Sequence, residues 1–115
     1  TLGHAIESKV LGSEKELLHG ESIAIGIILE SYISYLKGGL GLELVKKIKT
    51  HIKEHFKTTE FVCAEISKII ELLKFDKKNR DKEPMFVLLK EIGKPIIDQT
   101  VSEQEIREAF NFYKD

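Results

Sequence analysis

Apolar residues recur at helical spacing along most of the chain, and one segment is apolar on nearly every side. It runs from His19 to about Lys37. Its apolar positions are Ile23, Ile25, Ile27, Ile28, Leu29, Tyr32, Ile33, Tyr35 and Leu36. A helix that is apolar all round is normally buried within a larger body, so we expect this helix at the centre of the fold. Gly26 weakens such a helix unless another group packs closely against its backbone.

Shorter helices are predicted around this central one. A helix over residues 2–11 is expected to stop near Gly12. Two amphipathic helices, over about 42–56 and 60–73, resemble an α-hairpin that covers the buried helix. The hydrophobic pattern thus predicts a mainly α fold, organised as one domain over residues 1–115.

The pattern changes between the predicted hairpin and the C-terminal helix. Residues 74–83 carry five basic and three acidic side chains and are predicted to form a charged loop. Short apolar runs bounded by charge predict a β or extended segment near residues 85–100. Ser102 and Glu105 match a Ser-x-x-Glu capping box, which predicts the start of the last amphipathic helix.

Charge and composition exclude several classes of partner. The chain has 18 basic and 19 acidic residues, so we expect neither nucleic acid nor an anionic membrane surface as a partner. The longest uncharged apolar run, residues 22–29, is far shorter than the roughly 20 residues of a membrane span. The single cysteine, Cys63, cannot form an internal disulfide and fits a reducing compartment, so a cytoplasmic location is expected. The start lacks the pattern of a signal peptide and reads as the middle of a longer protein.

Polar chemistry meets the buried helix near the start of the chain. His4 and His19 lie 15 positions apart, each beside a glycine and each followed within three residues by a glutamate, Glu7 or Glu21. His19 immediately precedes the predicted helix, where its imidazole and the free backbone amides could face a metal or a phosphate. Alternatively, His19 and Glu21 only cap the helix and His4 is a packed or solvent-facing residue. The spacing leaves both interpretations open.

Two other clusters are better explained as solvated surface. His51 and His55 share a helix face at i, i+4 and could hold a metal. However, Ile52 occupies the position where the zincin pattern requires glutamate, no third ligand is evident, and lysines surround the pair. The stretch 75–80 could bind an anion through its lysines, but its composition favours a solvated charge cluster.

Several blocks together resemble a known family, in both order and spacing. The blocks are Gly3-His4-Ala5-Ile6-Glu7, Leu18-His19-Gly20-Glu21, Ile23-Ala24-Ile25-Gly26, Asp76-Lys77-Lys78-Asn79, Phe86-Val87-Leu88-Leu89 and Ile92-Gly93-Lys94. They resemble the C-terminal domain of 3-dehydroquinate synthase, a sugar-phosphate cyclase, and the resemblance covers essentially the whole chain.

The resemblance implies an enzyme of the shikimate pathway, and hence of aromatic amino-acid biosynthesis. Such enzymes convert 3-deoxy-arabino-heptulosonate 7-phosphate into 3-dehydroquinate and phosphate. It further implies a homodimer and an N-terminal Rossmann-like domain that binds NAD, which is absent from this chain. A zinc or cobalt ion would act as a Lewis acid on the hydroxyl group that is oxidised.

The resemblance also implies roles for individual residues. His19 corresponds to a zinc ligand, and His4 to a catalytic histidine that faces the substrate near its phosphate. Lys77 or Lys78 corresponds to a substrate-binding lysine, and the choice between them stays open. Thr1 corresponds to the threonine of the family motif Gly-His-Thr-x-Gly-His-Ala. Two further zinc ligands are therefore expected upstream of Thr1.

Catalytic zinc needs about three protein ligands, so the chain alone is expected to lack both tight zinc binding and activity. Without its first domain, the helix over 22–36 is expected to expose an apolar face and to favour self-association. Two alternatives remain. One is a related cyclase that acts on another sugar phosphate, and the other is a stand-alone helical interaction module without chemistry. The residues encoded upstream of Thr1 would distinguish the module from an enzyme.

Overall fold

A computed structural model describes residues 2–10, 18–80, 85–91 and 94–115, with side chains other than those of His4, Val10 and 74–100. Five helices and one hairpin make up these residues. In chain order they are α1 (Leu2–Val10), α2 (His19–Leu36), α3 (Leu42–His55), α4 (Cys63–Arg80), β1 (Met85–Glu91), β2 (Lys94–Thr100) and α5 (Glu103–Lys114). The mainly α class and the short β segment near residues 85–100 are confirmed.

The α2 helix lies at the centre of the domain, as its apolar pattern predicts. Helices α1, α3 and α5 and strand β1 all contact it. Ile28, Leu29 and Ile33 are fully buried in the core, each contributing roughly 1.5–3 kcal/mol by leaving water. Within α2, Ile27 is the one exposed large apolar side chain, at 46% exposure, and the self-association expected from an apolar face stays a prediction. Among the described helices, none has the length and apolar content to cross a membrane.

Two glycines allow α1 and α2 to cross closely. A Cβ atom built on Gly26 would lie 2.9 Å from the backbone nitrogen of Gly3 and 3.0 Å from its Cα. A Cβ on Gly3 would lie 3.1 Å from the carbonyl oxygen of Ser22. The backbone of Gly3 is therefore the group that packs closely against Gly26. This contact sets the distance between the two helices that carry the candidate histidines.

The predicted α-hairpin of the two middle helices is wrong. Helix α3 packs mainly on α2, whereas α4 packs on α1 and α5. The connection between them is tied to α5, because the Thr59 amide donates a hydrogen bond to Tyr113 Oη at 2.8 Å. The Phe61 ring meets the Phe110 ring edge to face, with centroids 5.4 Å apart. These contacts draw the connection across α5 and prevent a tight turn back along α3.

The prediction of a charged loop over 74–83 is also wrong for residues 74–80. Helix α4 continues through that residue because the stretch 74–80 contains neither glycine nor proline and consists largely of residues compatible with a helix. Residues 81–84 lie outside the described part, as does the predicted stop near Gly12.

The β hairpin and the start of α5 follow the local sequence. Strands β1 and β2 pair antiparallel, with Met85 opposite Thr100 and Glu91 opposite Lys94. The capping box is confirmed by two reciprocal hydrogen bonds. Ser102 Oγ accepts from the Glu105 amide at 3.2 Å, and Glu105 Oε1 accepts from the Ser102 amide at 2.8 Å.

Candidate functional site

At the start of α2, His19 and Glu21 make different contacts, although the sequence left a capping role open for both. The Glu21 side chain caps the helix, since its Oε1 accepts a hydrogen bond from the Leu18 amide at 2.8 Å. The carbonyl of Leu18 in turn accepts from the amides of Glu21 and Ser22 and closes the first turn. The His19 ring instead points across to α1. Glu21 is therefore a capping residue, and the imidazole of His19 contacts α1.

His19 is paired with a carboxylate from the neighbouring helix. Its Nδ1 lies 3.1 Å from Glu7 Oε1 and 3.3 Å from Glu7 Oε2. The His19 side chain is 64% exposed and that of Glu7 is 31% exposed. The pair therefore lies at the surface, where a ligand can reach the imidazole.

This pairing determines which ring nitrogen can bind a metal. An ionised carboxylate only accepts hydrogen bonds, so Nδ1 of His19 carries the proton. In the neutral imidazole Nε2 then carries the lone pair. Metal-binding histidines are commonly oriented in this way by a carboxylate on the other nitrogen. The residues present therefore fit one imidazole ligand of a zinc site, with Glu7 holding the ring.

The closeness of Glu7 to His19 depends on how α1 docks. Leu2 and Ile6 are fully buried and attach one face of α1 to the core. Because Gly3 contacts Gly26, α1 lies alongside the first turns of α2. Glu7 is therefore placed beside the start of α2.

The other predicted site residues can be placed only by their backbone. His4 lies on α1, one turn before Glu7, and Lys77 and Lys78 lie near the end of α4, which packs on α1. The side chains of all three lie outside the described residues. Their roles toward a substrate stay predictions.

Sequence reasoning did not assign Glu7 to the site. The available signal was its position three residues after His4, which puts the two on neighbouring positions of one helix face. The pairing with His19, 12 residues away in the chain, depends on the packing of α1 against α2.

The second histidine pair has a neighbour that the sequence interpretation overlooked. His51 and His55 lie on α3 together with Glu54, and one ligand atom from each of the three lies within 4.8 Å of the others. The absence of a third ligand, expected from the sequence, is therefore wrong for this cluster.

The fold and the site define a mainly helical domain that presents a carboxylate-oriented histidine at the start of its central helix. Residues 1–79 match the family model described as 3-dehydroquinate synthase C-terminal. The matched part includes His4, Glu7, His19, Lys77 and Lys78. The chain belongs to this family.

Curated relatives named 3-dehydroquinate synthase are similar to the chain along most of its length. The protein of Parabacteroides distasonis is 35% identical over 115 residues, which is 100% of this chain and 33% of the relative. That of Listeria monocytogenes is 40% identical over 98 residues, 84% of the chain and 26% of the relative. That of Dictyoglomus turgidum is 32% identical over 113 residues, 92% of the chain and 29% of the relative. The chain thus spans about a third or less of these relatives.

Proposed function

We propose that the chain is the C-terminal part of a 3-dehydroquinate synthase. The full-length enzyme would be a carbon–oxygen lyase that converts 3-deoxy-arabino-heptulosonate 7-phosphate into 3-dehydroquinate and phosphate, with NAD and zinc or cobalt as cofactors. The observation that carries the proposal is the orientation of His19 by Glu7, at 3.1 Å, in a chain of this family.

His19 serves as a metal ligand through Nε2, and Glu7 positions the ring. A bound zinc ion would supply Lewis-acid polarisation of the substrate hydroxyl that is oxidised. The Glu7 carboxylate accepts the hydrogen bond from Nδ1 and holds the ring, so that Nε2 is the nitrogen offered to the metal. Because His19 is exposed at the start of α2, ligands from another domain can complete the coordination.

His4 and one of Lys77 and Lys78 bind the phosphorylated end of the substrate. A lysine ammonium is a compact charge that suits a phosphate group. The three positions lie on α1 and α4, two helices that pack on each other, so one substrate could be reached from both. His4 is the catalytic histidine of this set.

For the catalytic zinc, the chain by itself supplies one proposed ligand, His19, fewer than the roughly three of a catalytic site. We therefore expect neither activity nor tight zinc binding without an N-terminal NAD-binding domain. The complete enzyme is proposed to be a cytoplasmic homodimer.

The test uses the full-length protein that contains this chain, supplied with NAD, zinc and the heptulosonate phosphate. We expect equimolar release of phosphate and 3-dehydroquinate, and loss of both in His19→Ala. The matched control is His51→Ala, which should leave the rate unchanged because His51 lies on α3. Turnover of a different sugar phosphate alone would identify a related cyclase, and the absence of any turnover would refute the assignment.

A further inference from the structure

We propose that the exposed face of α3 binds a divalent transition-metal ion through His51, Glu54 and His55. The ligand class is Zn²⁺, Ni²⁺ or Cu²⁺, which prefer imidazole nitrogen and accept a carboxylate oxygen. This site is independent of the function proposed for His19, since it lies on another helix and uses none of the same residues.

The spacing of the three residues supplies the geometry. At i, i+3 and i+4 of one helix they project from the same face. One ligand atom from each lies within 4.8 Å of the others, and the two imidazole centroids are 4.9 Å apart. Donor atoms around one tetrahedral zinc ion lie about 3.4 Å apart, given Zn–N distances of about 2.0–2.1 Å. Small side-chain rotations therefore bring the three donors onto one ion.

The tautomer of His55 already suits a metal. Its Nδ1 lies 3.0 Å from the carbonyl oxygen of His51. A carbonyl oxygen only accepts hydrogen bonds, so Nδ1 is the protonated nitrogen and the lone pair is on Nε2. A backbone carbonyl on the second nitrogen is a frequent partner of metal-binding histidines. The helix itself thus orients one of the two rings for binding.

Exposure and charge set the expected strength. All three side chains are exposed, so water can occupy the remaining coordination positions of the ion. A shallow depression is lined by His51 and Glu54 together with Glu43, Lys46, Lys47 and Thr50. The two ammonium groups repel a cation and the glutamates attract it. We therefore expect micromolar rather than nanomolar affinity.

The test is calorimetric titration with Zn²⁺ of the full-length protein carrying His19→Ala, which removes the proposed ligand on α2. We expect one equivalent of Zn²⁺ to bind at the α3 site of this protein. His51→Gln or His55→Gln should weaken this binding ~10-fold or more. Lys47→Ala should tighten it, because one repelling charge is removed, whereas Thr58→Ala, beyond the end of α3, should have no effect. Unchanged affinity in the double variant H51Q/H55Q, or no uptake at millimolar zinc, would overturn the proposal.

A second measurement uses Ni²⁺ and the backbone amide signals of the isotope-labelled protein. Paramagnetic broadening should centre on residues 50–56 of the His19→Ala protein and disappear in H51Q/H55Q. Broadening centred elsewhere would also refute the site. Neither result bears on the dehydroquinate synthase assignment, which depends on residues of α1, α2 and α4.

Discussion

The carboxylate of Glu7 lies 3.1 Å from Nδ1 of His19 and links α1 to the first residue of the central helix. Neither residue is deeply buried, so this surface contact contributes little to stability. Its effect is on orientation, since it selects the imidazole nitrogen that can bind a metal. The first prediction follows from this distinction.

Replacing Glu7 by alanine should weaken zinc binding by the full-length protein ~10- to 100-fold and lower the turnover number in proportion at limiting zinc. Glu7→Gln, which retains an oxygen that accepts the hydrogen bond, should retain part of the affinity. Zinc affinity is measured by competition with a chromophoric chelator, and the absorption spectrum of the Co²⁺ form reports the ligand geometry. The control is Glu71→Gln, an exposed carboxylate on α4 that lies in neither proposed metal site. Equal zinc affinity in wild type and Glu7→Ala would contradict the positioning role.

The contact between Gly3 and Gly26 predicts a steric penalty. Gly26→Ala would place a Cβ 2.9 Å from a backbone nitrogen, which a side-chain rotation cannot relieve. We expect a loss of about 1–3 kcal/mol, measured as a lower urea midpoint of unfolding. Activity should fall as well, because α1 carries Glu7 and His4.

The matched control for that change is Gly20→Ala, in the first turn of the same helix. A Cβ there meets nothing within 4 Å. Alanine favours a helix over glycine by up to about 1 kcal/mol, so this variant should be neutral or more stable. Equal destabilisation by both substitutions would show that helix propensity, rather than the crossing, determines the result.

The hydroxyl group of Tyr113 is predicted to anchor the connection between α3 and α4. It accepts the Thr59 amide hydrogen bond at 2.8 Å in the buried interior. Tyr113→Phe leaves that amide without its partner and should cost about 1–3 kcal/mol. The same change at Tyr35, which is only half-buried, should stay within about 0.5 kcal/mol. Urea unfolding of both variants makes the comparison, and equal midpoints would refute the anchor.

Glu30 predicts a pH dependence of stability. Burial raises the pKa of its carboxyl group above the ordinary value of 4.5. The folded state therefore holds the proton more tightly than the unfolded chain, and this residue's contribution to stability falls as the pH rises from 4.5 through the raised pKa. Below pH 4.5 both states are protonated and the penalty is absent. Above the raised pKa the penalty is fully present.

Glu30→Gln should accordingly raise the urea midpoint at about pH 7 and leave it nearly unchanged at about pH 4. Glu71→Gln, on the exposed surface of α4, should give no increase at either pH. An equal gain for Glu30→Gln at both values would show that a packing effect, rather than ionisation, is responsible.

Local patterns predicted much of the fold. The apolar positions around α2 indicated a buried helix, and the Ser102 and Glu105 pair indicated the start of α5. Gly26 indicated that α2 would be weakened unless another group packed against its backbone. Each of these depends on residues within a few turns of one another. The end of α4 was predicted wrongly because charge was taken as evidence for a loop, although charged side chains also occupy solvated helix faces. Glu54 was overlooked because glutamate was sought only directly after His51.

The sequence by itself determined the type of each main element, the central position of α2 and the histidines as candidate ligands. The tertiary structure decided which partners those elements take. Glu7 meets His19 because two glycines let α1 approach α2, and α4 leaves α3 because Tyr113 holds the connection to α5. Helical periodicity states which face of a helix is buried. It does not state which neighbour covers that face, because that depends on packing among all the elements at once.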